Sequence, residues 1–112
     1  MSTYTLIENA AEQIAIPTTG MVKKLLLNVG VRIMGFGFAP GHELKEHTAP
    51  ADVILHFLEG EATVTMASET KHVAAGSLVH IPANLPHSVL ATTALKMLLV
   101  LLPANAAGTS PP

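Results

Sequence analysis

From residue 22 onward, apolar and polar positions alternate or fall into short apolar blocks. Each block is closed by glycine, proline, asparagine or a cluster of small residues. A spacing of two, not 3.6, predicts strands. Glu61–Met66 shows it most plainly: Ala62, Val64 and Met66 fall on one face and Glu61, Thr63 and Thr65 on the other. Ala67, Ser68, Glu69 and Thr70 then read as a turn into a strand at Lys71-His72-Val73. Residues 22–28 and 31–38 read as two strands around Val29-Gly30, with Gly35 and Gly37 marking a bend or a close backbone approach. Residues 53–58 and 95–102 are apolar on both faces, broken only by His56 and Lys96. Strands of that kind are covered on both sides. The pattern therefore predicts an all-β sandwich or barrel.

Length and composition narrow this picture. The 112 residues make one domain, expected over residues 1–103, with the small, polar, proline-ended stretch 104–112 expected to be a disordered tail. Apolar residues make up 49% and charged residues 12%, too little charge to cover a monomer's surface. A homodimer is the simplest way to hide the excess. The six basic residues form no patch able to neutralise phosphates, so nucleic acid is not an expected partner. With no cysteine there is neither disulfide nor thiolate chemistry. The amino terminus lacks the pattern of a secretory leader, and the most apolar run, Met97 to Leu102, is too short to span a bilayer. No membrane partner is expected, and the expected location is the cytoplasm.

Candidate chemistry lies in two spaced sets. The first runs from Gly41 through His47, Ala49 and Val53 to Gly60; the second runs from Gly76 through Pro82, Asn84 and His87 to Ala91. Gly60 and Gly76 stand where a strand must turn, and positive φ suits glycine. Pro82 ends its strand because it donates no ladder hydrogen bond, and Pro86 presets the turn before His87. In order and separation the two sets resemble the paired motifs of the cupin superfamily, over roughly residues 22–102. The resemblance implies a cupin-type antiparallel β-barrel, also described as a double-stranded β-helix or jelly-roll-like fold, with motifs at 41–60 and 76–91.

It also implies a site. The family's first motif supplies two histidines and a glutamate, and its second motif a third histidine. Carried over by position, these are His47, Ala49, Val53 and His87, so two imidazoles remain of four ligands. Catalytic mononuclear sites generally use three protein ligands. His56 and His80 are the candidates for an additional one, although if Val53 faces inward then so do Leu55 and Phe57, and His56 faces out. His42 and Glu43 are expected to be exposed after the turn at Gly41. Lys96, alone in an apolar strand, is expected either to pair with Glu46 or Asp52 or to reach solvent.

The expected function is a small-molecule-binding barrel with an apolar pocket of Ala49, Val53, Leu55 and Phe57 and with His47 and His87 at its mouth. The alternative is a dioxygenase-like or isomerase/cyclase cupin enzyme with an incomplete two-histidine metal site. No cofactor is assured. A labile divalent metal on His47 and His87 would be Zn or Ni sooner than Fe or Mn, since imidazole serves the former better.

Overall fold

The computed structural model describes residues 3–103. Nine strands follow a segment whose one short turn of 3-10 helix spans Ala11–Gln13. They are β1 (Met21–Asn28), β2 (Arg32–Phe38), β3 (Glu43–His47), β4 (Val53–Glu59), β5 (Glu61–Met66), β6 (Glu69–Ala74), β7 (Leu78–Ile81), β8 (His87–Ala91) and β9 (Leu95–Leu101). A five-stranded sheet in the order β1-β2-β9-β4-β7 faces a four-stranded sheet in the order β3-β8-β5-β6. The ladders within both sheets are antiparallel. Non-consecutive neighbours such as β4 and β9, or β3 and β8, make this a jelly-roll-like barrel and not a simple meander.

The alternation sorts the side chains as expected. On β4, Ile54, His56 and Leu58 are half-buried, while Val53, Leu55 and Phe57, alternating with them, are buried. They join Phe36, Phe38, Val64, Ile81, Val89, Leu95 and Met97 in one core cluster between the sheets. β5 occupies the expected span and phase, with Ala62 and Val64 fully buried. The turn into β6 is tighter than expected: Glu69 and Thr70 already pair with Met66 and Thr65, leaving Ala67 and Ser68 as the turn, with Ala67 at φ 54°.

Gly60 has the anticipated positive φ, 89°, and a methyl group there would collide with the Ala94 carbonyl. Gly35 and Gly37 serve a close approach. The segment before β1 crosses the outer face of the larger sheet there, with Ile14 only 3% exposed, and a Cβ on Gly37 would overlap the Ala15 carbonyl. Lys96 ties this segment down. Its Nζ donates to the Ala11 carbonyl at 2.8 Å and lies 3.8 Å from Glu59, not beside Glu46 or Asp52. The register explains the difference: Lys96 stands opposite Gly37 and Glu59 on the outer face, where the crossing segment passes.

β3 is a strand that its sequence hides. Its ladder with β8 is broken between Leu44 and His47, where two residues of β3, Lys45 and Glu46, oppose one of β8, Ser88. Such a bulge lets Leu44 and His47 both face inward, three residues apart, while Lys45 and Glu46 are exposed. Glu43 is exposed as expected, but His42 is half-buried, its ring 6.1 Å from that of Phe38. The expected tail, 104–112, lies outside the described residues. No helix among those residues is long and apolar enough to cross a membrane.

Candidate functional site

The bulge in β3 and the turn before β8 bring two histidines together. Pro82 and Leu85 close a turn through the Leu85 N–H and the Pro82 carbonyl. Asn84 adopts φ 67°, a conformation that asparagine tolerates better than most residues. Its N–H donates to the Ala49 carbonyl at 2.8 Å, which ties the turn to the chain after β3. His87 then enters β8 directly opposite His47. Their ring centroids are 4.3 Å apart with the planes at 61°, an edge-on contact.

Both rings are held in the same way. Nδ1 of His47 lies 2.8 Å from the Lys45 carbonyl, and Nδ1 of His87 lies 2.8 Å from the Leu85 carbonyl. A carbonyl only accepts, so in each ring the proton sits on Nδ1. In the neutral form each Nε2 is therefore a bare lone pair. His87 is 3% exposed, and its Nε2 has no hydrogen-bond partner among the described residues. Burial pushes the His87 imidazole below its ordinary value of 6.5; the Leu85 carbonyl partly opposes this, and the His47 ring adds to it. A buried acceptor without a donor costs about 1–3 kcal/mol, which makes this atom the one that most calls for a ligand.

The depressed value ties His87 to stability. An unfolded chain takes up the imidazole proton near 6.5, whereas the folded protein resists it to lower pH. The His87 contribution is complete above pH 6.5 and is lost as pH falls beneath it. Urea midpoints measured from pH 8 down to 5 should decline below 6.5, and His87→Gln should flatten that decline. A variant that keeps the full decline would place its origin elsewhere.

Neither additional candidate joins the pair. His56 stands opposite Leu98 and Leu78 on the outer face of the larger sheet. His80 is exposed and binds Asp52, with Nε2 2.7 Å from Oδ2. Asp52 also accepts the Ala83 N–H through Oδ1 at 2.9 Å. The His80 bond first, and the Ala83 bond after it, hold the Asp52 carboxyl below its usual range. This dyad pins the Pro82–Ala83 turn from outside, a bracing role the sequence did not reveal. Among the described residues no three His, Cys, Asp or Glu side chains gather as metal ligands. Ala49 is half-buried against the core, and Val53, Leu55 and Phe57 are packed within it.

The model of the cupin domain family matches residues 36–101. A conserved protein of unknown function from Streptococcus pyogenes is 31% identical over 92% of this chain and 96% of its own, with a TM-score of 0.78. A cupin 2 conserved barrel domain protein from Leptotrichia buccalis is also 31% identical, over 84% of this chain and 46% of its own, with a TM-score of 0.78. A cupin superfamily protein from Desulfitobacterium hafniense is 24% identical over 84% and 87%, with a TM-score of 0.79. No curated protein matches the chain significantly.

Proposed function

The chain belongs to the cupin family, and from that premise we propose that it is a small-molecule-binding barrel whose ligand is held at the His47–His87 pair. The observation that carries this reading is the buried Nε2 of His87, unpartnered among the described residues. A neutral imidazole with Nδ1–H committed to a carbonyl offers an acceptor. The ligand it suits carries a hydroxyl, phenol or enol O–H; a carboxylate, which needs a donor, suits it poorly. The ligand enters at the barrel end, where partly exposed His47 flanks the covered His87. Its apolar body rests against half-buried Ala49 at the rim, since Val53, Leu55 and Phe57 are packed within the core.

The divalent metal usual in the family does not fit these residues. Ala49 and Val53 remove a neutral and an anionic ligand, and the anionic one matters most for Fe or Mn. The second reading, a metal-dependent dioxygenase-like enzyme, calls for ligands these positions do not supply. A cyclase- or isomerase-like reaction would need only the proton-accepting pair, and the same compounds test it.

The test is a fragment screen read by NMR of imidazole nitrogens, with phenols and aliphatic alcohols in one arm and matched carboxylates in the other. Members of the hydroxyl arm should shift both Nε2 resonances, and His87→Gln should abolish the effect. Shifts confined to carboxylates, or binding that leaves both rings unchanged, would overturn the proposal. A second copy of this chain is the proposed protein partner, because the outer face of the larger sheet presents Ile54, Leu98, Val100 and the 64%-exposed Leu78. Light scattering should read a dimer at micromolar concentration, and a monomer would contradict that part.

A further inference from the structure

Met66 stands in the same row as the two histidines. β5 pairs with β8 so that Met66 lies directly opposite His87 on one side, as His47 does on the other. Residues directly opposed on antiparallel strands project to one face, with Cβ atoms about 4.5–5.5 Å apart. Burial agrees: Ala62 and Val64 on β5 and His87, Val89 and Ala91 on β8 are buried, and Met66 packs against the same core. Thus His47, His87 and Met66 cross three neighbouring strands on the inner face, at one end of the barrel.

Together these side chains offer a donor set of a particular kind. Both imidazoles hold Nδ1 against a backbone carbonyl and leave Nε2 free. That of His87 is buried without a hydrogen-bond partner among the described residues. The third donor is a thioether, soft and polarizable. No side chain of the row carries a negative charge. Burying a divalent ion among neutral ligands leaves its charge uncompensated, and the Born cost grows with the square of that charge. A singly charged ion that favours imidazole and thioether sulfur meets both conditions.

We propose that His47, His87 and Met66 form a binding site for monovalent copper. The site goes beyond the proposed small-molecule function and needs no organic ligand, although copper and a hydroxyl ligand would compete for the same nitrogen lone pairs. Met66 separates the two, since a hydroxyl ligand uses the imidazoles alone.

The test is anaerobic titration with Cu(I) under reducing conditions, in competition with the chromogenic chelator bicinchoninate. The unmodified protein should withdraw one equivalent of copper from the chelator. Met66→Leu keeps the apolar volume and should weaken Cu(I) binding about tenfold or more, the low end of what loss even of an outer-shell partner costs. Zn(II) affinity should be unchanged in that variant. X-ray absorption of the copper-loaded protein should show one sulfur in the copper shell, absent in Met66→Leu. Circular dichroism checks that each variant is folded. No Cu(I) uptake by the folded protein, or equal Cu(I) affinity with and without the thioether, would overturn the copper site. Hydroxyl fragments that still shift the rings in Met66→Leu would show that the small-molecule reading stands even where the copper site fails.

Discussion

Replacing Phe57 by alanine should cost about 3–5 kcal/mol, the range for removing a fully buried aromatic ring. Phe57 is 0% exposed, and on either side of it Leu55 and Met97 are at most 1% exposed. Against a total stability of ~5–15 kcal/mol, that loss is a large share of what keeps a domain of this size folded. The melting temperature should fall by roughly 12 °C or more. The measurement also shows how far any ligand space extends. A ring that belongs to filled core costs the full amount, because its neighbours collapse only in part around the gap. A loss within ~0.5 kcal/mol, as at a surface site, would show instead that Phe57 borders open space.

The second large effect concerns metal. Ala49→His with Val53→Glu returns the family's missing imidazole and carboxylate to their places. Affinity for Zn or Ni should rise at least ~100-fold, since losing even an outer-shell partner costs roughly 10–100-fold. Each single replacement should give less. Without metal the double variant should be less stable than the unmodified protein, because Val53 is 2% exposed and a carboxylate there has no partner. Added metal should reverse the loss, by about 2.7 kcal/mol at a concentration one hundred times the dissociation constant. Calorimetric melts with and without Zn read both effects. A folded double variant with unaltered affinity would mean that positions 49 and 53 do not converge on the pair.

Much of this was legible from spacing. Gly60, Gly76 and Pro82 act through backbone conformation, which residue type determines locally. Leu55 and Phe57 follow from a period of two within one regular strand, and that same period placed His56 outside. His47 and His87 were linked by motif order, and they stand directly opposite each other in the register of β3 and β8. What escaped depends on irregularity or distance. The bulge in β3 lets Leu44 and His47 share a face although three residues separate them, and no alternation rule anticipates it. Met66 lies far along the chain from both histidines, and only the pairing of β5 with β8 brings it beside them. The Asp52–His80 brace arises because Asp52 sits just before β4, next to β7, and such a contact leaves no periodic trace. The partner of Lys96 is a backbone carbonyl on a segment with no strand pattern, so side-chain charges alone pointed to the wrong acids.

The central claim is that His47 and His87 present bare Nε2 lone pairs to the barrel end. It is tested most directly by long-range proton–nitrogen correlation NMR on protein with labelled imidazoles, recorded as a pH titration. In its neutral form each ring should carry its proton on Nδ1 and leave Nε2 bare, and the His87 midpoint should lie below 6.5. An Nε2–H tautomer of either neutral ring, or a His87 midpoint above 6.5, would contradict that claim.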